Sequence, residues 1–287
     1  MQRLLIVGCG DVVRRALPVL ARRWRVYALV RERDPSLAAF GVTQIVGDLD
    51  RPTSLRRLAG LVHAVLHSAP PPDQGTGDPR TRQLIAALQR GSLPRRLVYI
   101  STSGVYGDCG GDRVFETRPL KPQTGRACRR VAAERMLRRF CADSGCCVSI
   151  LRAPGIYAGD RLPLDRLRRA LPVFRAGEDS YTNHIHADDL ARACVAALAC
   201  GRPGRTYNVS DDSDLPMGDW YDKLADAFAL PRPPRYSRAE VAAMVPPLVL
   251  SFMNESRRLD NRRLKRELGL RLAYPTVDAG IAATKEK

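Results

Sequence analysis

The sequence predicts an α/β protein, a Rossmann-type doubly wound parallel sheet carrying a small C-terminal substrate lobe. Two observations predict it. Short apolar, β-branched runs alternate with longer helical stretches through the first half, as in a parallel sheet covered on both faces. A glycine turn, Gly8-Cys9-Gly10, follows the first run and opens the first helix, which is the setting of a phosphate-binding turn. With 287 residues, the chain buries roughly three quarters of its unfolded surface. It needs neither disulfide nor metal to fold.

The elements follow in order. Leu4–Val7 reads as a buried strand, and a helix runs through Val12, Ala16, Leu17, Val19 and Leu20. Val26–Val30 and Thr43–Val46 are strands, followed by a helix over Ser54–Leu61. Val62–Leu66 is a fourth strand, Arg80–Leu88 a helix and Leu97–Ile100 a fifth strand. Arg126–Cys141 is a long helix with apolar residues at helical spacing, and Val148–Leu151 is a sixth strand. Beyond Pro154 the pattern loosens into a short helix near Leu164–Ala170, then a strand running into a helix over Asn183–Ala199. Tyr207–Val209 is one more short strand, and proline-broken helical pieces follow Asp211. The expected division is a cofactor domain of 1–158 plus 183–210 and a substrate lobe of 159–182 plus 211–287.

Charge narrows the partners. There are 47 Lys and Arg against 30 Asp and Glu, a net +17, which raises the question of nucleic acid. Only five of those cations are lysine, and they are spread in pairs such as Arg22-Arg23 with no recognition motif. Nucleic acid is therefore not expected as a partner. None of the eight cysteines forms a C-x-x-C pair, so no zinc knuckle or thioredoxin motif is present. Without a signal peptide or a long apolar run, a cytoplasmic protein is expected, with no membrane partner.

In Gly8-Cys9-Gly10-Asp11-Val12-Val13, Gly8 permits the tight turn and Gly10 lets the backbone approach a pyrophosphate. Val13 stands where a third glycine would allow close helix–strand packing. The second strand ends in Val30-Arg31-Glu32-Arg33. An arginine there suits a 2′-phosphate and so NADP; Glu32 alternatively takes the 2′-hydroxyl of NAD. We expect NADP, with NAD as the alternative.

Several blocks resemble the extended or atypical short-chain dehydrogenase/reductases of the NAD-dependent epimerase/dehydratase group. They are Gly8-Cys9-Gly10, Gly47-Asp48-Leu49, Tyr99 to Gly107 (YISTSGVYG), Leu151 to Tyr157 (LRAPGIY), His186 to Leu190 and Tyr207 to Ser210. The tail from Arg258 to Gly269 is also similar to that family. The resemblance implies that Asp48 and Leu49 meet the adenine, while Ser68 and Ala69 line the ribose and nicotinamide side. It places Ser101 and Pro154 to Ile156 beside the cofactor and gives Thr102 the role of the catalytic hydroxyl. A homodimer through the 126–141 helix and the helix after the fourth strand is also implied.

One departure bears on chemistry. The family's Tyr-x-x-x-Lys, aligned on Ala133-Glu134, falls on Arg126 and Arg130. Arg130 can still bond a ribose hydroxyl. Arg126 cannot transfer a proton, because guanidinium stays protonated; it can bind an anion or stabilise an oxyanion. Tyr106 and Tyr157 are then the candidate acid/base groups, Tyr106 first, and Ser103, Tyr157, Arg161 and Asn183 are candidate substrate contacts. His184 and His186 share a strand face without a third ligand, so no metal is expected. The expected function is an NADP-preferring, epimerase/dehydratase-like oxidoreductase. Its substrate is a small carbonyl or sugar-type compound, nucleotide-sugars included, handled by non-standard acid/base residues. The alternative is a non-catalytic NADP(H)-binding redox sensor or regulator.

Overall fold

The computed structural model describes residues 1–285. Seven strands form the main sheet: β1 (Gln2–Val7), β2 (Trp24–Val30), β3 (Thr43–Val46), β4 (Ala64–His67), β5 (Arg96–Thr102), β6 (Cys147–Ala153) and β7 (Arg205–Asn208). All pair in parallel, in the order β7-β6-β5-β4-β1-β2-β3. The order reverses between β1 and β4. A crevice opens above the strand carboxyl ends at such a reversal, and ligands of open α/β sheets bind there.

Strand periodicity assigns the faces. Leu4 and Ile6 point into one core with Val13, Leu17 and Leu20 of α1 (Asp11–Arg23). That core also takes in Leu190 and Cys194 of the helix Ala187–Cys200. Leu5 and Val7 point into the opposite core with Leu84 and Leu88 of α2 (Pro79–Leu88) and Leu137 and Phe140 of α3 (Gly125–Ser144). Side chains alternate along a strand, so one apolar run supplies both cores.

Two expectations change. The helix expected at 54–61 is a 3-10 segment, Pro52–Leu58, stopped before Gly60, whose φ is +63°. Leu55 and Leu58 both bury, and a three-residue turn puts such a pair on one face. The tail, expected in the small lobe, instead lays Leu264, Leu268 and Leu270 into the core that contains Leu4 and Ile6. The C-terminal region outside that tail builds two small cores. One joins Tyr157, Leu167, Trp220, Leu224 and Val277; the other joins Phe174, Val241, Val245 and Met253. Among the described residues, no helix is long and apolar enough to cross a membrane.

Candidate cofactor and reaction site

A cleft of about 900 Å³ lies over the ends of β1 to β4, lined in part by Gly8, Arg31, Glu32, Asp48 and Leu49. Gly8 adopts φ +90°, and a Cβ there would sit 2.4 Å from the Ala69 amide nitrogen. Only glycine fits. The Ser68 and Ala69 amides donate to the Val7 carbonyl at 2.8 and 2.9 Å, and the Ser68 hydroxyl donates to the Gly8 carbonyl. Ser68 and Ala69 therefore brace the turn from below. Gly10 has an ordinary backbone, and a Cβ on it would meet nothing within 4 Å. What Gly10 preserves is open space above the start of α1, whose N-terminus no side chain caps. Backbone donors and empty space together fit a pyrophosphate. Val13 is 1% exposed and fills core, while Val12 packs half-buried beside it. Asp11 is outside the cleft lining, its carboxylate paired with Arg15 at 3.0 Å and Arg161 at 2.9 Å.

The cleft wall from β2 carries a mixed charge set. Arg31 lines it without an ion-pair partner among the described residues. Glu32 lines it too, whereas Arg33 is exposed and outside the lining. Asp34 is the other acid nearby, and its carboxylate is occupied. The Ser36 hydroxyl and amide donate to it at 2.6 and 3.0 Å, and Arg14 pairs with it. Ser36 first and Arg14 second hold its carboxyl below the usual carboxylate range. Arg14 also donates to the Cys9 carbonyl at 3.2 Å, tying the glycine turn to Asp34. The Asp48 side chain accepts the Asp50 amide at 2.9 Å. Arg80 forks onto Asp50 at 2.9 and 2.7 Å, and Arg51 completes the rim. Sequence reasoning missed Arg14, Arg51 and Arg80. Arg14, on the first turn of the helix opened by the glycines, was the one with a readable signal.

A second cluster gathers where β5 ends. The Thr102 hydroxyl accepts the Gly104 amide at 3.2 Å, capping the turn Ser103–Tyr106. Arg130 donates to the Tyr99 hydroxyl and the Ile100 carbonyl, both at 2.9 Å, and is pinned beside β5. Arg126 lies half-buried with its guanidinium 3.2 Å from the Phe252 ring centre. Burial lowers its pKa against the opposing field of Glu255, and Arg257 lowers it further. Arg257 donates to the Gly107 carbonyl at 2.8 Å, to Glu255 at 2.9 Å and, more distantly, to Ser103 at 3.5 Å. Pro154 and Ile156 follow β6, both half-buried. Neither Glu255 nor Arg257 was singled out from the sequence. They sit in the proline-broken C-terminal stretch, just ahead of the tail block, with no motif or periodicity to mark them.

Five expected site residues lie elsewhere. Tyr106 is buried, donating to Asn208 at 2.7 Å and accepting from Arg152 at 2.8 Å. Burial pushes its phenol up to about 12, with Arg152 only partly opposing. It cannot serve the cleft as an acid/base. Ser101 donates to the buried Glu134 at 2.7 Å and belongs to the same network. Tyr157 is packed against His184, His186 and Trp220, and burial raises its pKa. Asn183 braces the 257–259 segment, donating to the Arg257 carbonyl at 2.8 Å and accepting the Leu259 amide at 2.7 Å. Arg161 reaches back to Asp11. His186 caps the helix Ala187–Cys200, and the buried Asp189 accepts the Ala273 and Tyr274 amides.

The sequence model of the NAD dependent epimerase/dehydratase family matches residues 13–210. The chain belongs to that family. A dTDP-glucose 4,6-dehydratase from Xanthomonas campestris is 27% identical over 201 residues, 66% of this chain and 56% of that protein. The chain thus spans little more than half the length of that relative. A functionally unknown conserved protein from Silicibacter pomeroyi superposes with a TM-score of 0.81 at 30% identity, covering 100% and 99% of the two chains. A Bacillus anthracis dTDP-glucose 4,6-dehydratase, solved with NAD, gives a TM-score of 0.80 at 14% identity over 100% and 96%. That last likeness shows the fold alone. The matched segment begins just after the glycine turn, and positions 126 and 130 within it carry arginine.

Proposed function

We propose that this family member is an NADP(H)-preferring oxidoreductase of the epimerase/dehydratase type, acting on a small carbonyl or sugar-type substrate, nucleotide-sugars included. The observation that carries the reading is the cofactor seat: Gly8 admits no side chain, and Gly10 leaves its space open over an uncapped helix start. Arg31 supports NADP because it faces the cleft unpaired while Asp34 is neutralised by Arg14. A bound nicotinamide supplies hydride exchange with a substrate carbon. The chain's own part is to hold adenine near Asp48 and Leu49, ribose near Arg130 and the substrate oxygen at Thr102. In this reading residues 1–158 with 183–210 hold the cofactor, the remainder apart from the tail packed on the main sheet shapes the substrate side, and the protein works in the cytoplasm.

Titration with NADPH and NADH, followed by nicotinamide fluorescence, tests the reading. NADPH is expected to bind in the micromolar range and NADH much more weakly. Arg31→Ala should reduce the preference about tenfold, the worth of one charge-assisted phosphate contact. Equal binding of both nucleotides overturns the Arg31 assignment, and binding of neither overturns the cofactor site.

A non-catalytic NADP(H)-binding redox sensor is the second reading. It is favoured by Arg126, stacked on Phe252 where the family places its tyrosine, and by the burial of Tyr106 and Tyr157. Activity that appears only in the double variant Arg126→Tyr, Arg130→Lys would select it.

A further inference from the structure

Glu255 and Arg257 form a buried ion pair at 2.9 Å, with side chains 5% and 10% exposed. The pair is incomplete. The Oε1 atom of Glu255 and the Nε atom of Arg257 are both buried without a hydrogen-bond partner. Leaving such atoms unpaired is costly, and an active site is one place where the cost is tolerated. The location is specific. From the point where a side chain on Gly104 would begin, Thr102 Oγ1 is 3.6 Å away and Glu255 Oε2 is 3.8 Å away. Both atoms stand at ordinary contact distance from that point, so the hydroxyl that ends β5 and this carboxylate flank the same stretch of backbone. Arg126, the residue at the family's tyrosine position, lies within the field of both Glu255 and Arg257.

We propose that Glu255 is the proton acceptor and donor of this protein, in place of the tyrosine that position 126 lacks. The proposal rests on the cofactor reading above. In the oxidative direction the substrate hydroxyl, oriented by Thr102, gives its proton to Glu255 Oε1. The hydride leaves the same carbon for the oxidised nicotinamide of NADP, and the C=O bond forms as the O–H and C–H bonds break. Reduction runs the same transfers backwards, from the protonated carboxyl and the reduced nicotinamide. Arg257 is the positioning residue. Anchored on the Gly107 carbonyl, it holds Oε2 and leaves Oε1 for the substrate.

The test reads charge beside the nicotinamide and needs no substrate. Dissociation constants for NADP⁺ and NADPH are measured for wild type, Glu255→Gln, Glu255→Asp and Glu255→Ala, with melting curves to check folding. The oxidised ring is cationic and the reduced ring neutral. In mildly alkaline buffer, Glu255→Gln is expected to weaken NADP⁺ relative to NADPH by about fivefold, the worth of one close charge. Glu255→Asp, which keeps the charge, should keep the wild-type ratio, and Glu255→Ala should repeat the loss if the glutamine variant does not fold. A ratio unchanged by Glu255→Gln, or two nucleotides weakened equally, overturns the proposal and leaves the cofactor reading standing. A wild type that binds neither nucleotide overturns both.

Discussion

Two buried arginine–glutamate pairs lie beside β5, and they differ in completeness. Arg152 and Glu134 meet at 2.6 Å with almost no solvent exposure. Every guanidinium nitrogen of Arg152 donates, to both oxygens of Glu134, to the Tyr106 hydroxyl and to the Glu116 carbonyl. Ser101 adds a bond to Glu134. Burial alone would lower the Arg152 pKa, but Glu134 outweighs it and the net direction is upward. Arg257 and Glu255 are nearly as buried, yet one oxygen and one nitrogen lack partners. A completed network fixes one geometry and rigidifies the core around it. An incomplete one still has a donor and an acceptor to offer a ligand. Burial hardly separates the two pairs; hydrogen-bond completeness does.

The largest expected effect comes from breaking the completed pair. Arg152→Met strands Glu134 among apolar neighbours and should cost about 3–5 kcal/mol, read by urea or thermal unfolding. A loss below about 1 kcal/mol would mean that the network is no structural keystone, and the contrast would collapse.

Asp211 extends the comparison to a buried carboxylate with no cation bonded to it. One of its oxygens accepts the Ser213 amide at 3.0 Å and the other has no partner. Burial, aided by Asp212 and Asp189, raises its pKa to about 8. The folded state then keeps a proton that the unfolded chain releases near 3.8. Between those values the unfolded chain binds fewer protons, so this group makes stability fall as pH rises from about 4 to 8. Asp211→Asn should add roughly 1 kcal/mol or more near pH 8, and the gain should vanish in acid. Unfolding curves at the two pH extremes check the sign.

Glu255→Gln should change stability least, by less than about 1 kcal/mol, because the amide oxygen can still accept from Arg257. Equilibrium unfolding of that variant beside Arg152→Met places both pairs on one scale. Equal losses would remove the distinction between them.

Much of the cofactor half was legible because its signals are local. Gly8 and Gly10 follow an apolar strand within a few residues, and Arg31 comes directly after strand β2, about 20 residues past the glycines. The reaction half was legible only to Thr102, Arg126 and Arg130. Tyr106 and Tyr157 looked available because sequence carries no measure of which way a ring turns. A four-residue 3-10 turn sends Tyr106 inward to Asn208, a residue 102 positions along the chain.

By itself the sequence determined the alternation of buried strands and amphipathic helices, the glycine turn, the charge at the end of β2 and the missing tyrosine. These are properties of neighbours along the chain, and periodicity and backbone sterics fix them. Tertiary structure decided which polar groups complete one another. It closed Glu134 on Arg152, closed Asp34 on Arg14, and brought Glu255, 153 residues downstream, against the Gly104 turn beside Thr102. Hydrogen bonds and ion pairs act over a few ångströms, so the identity of a charged residue's partner is settled only when distant segments pack together.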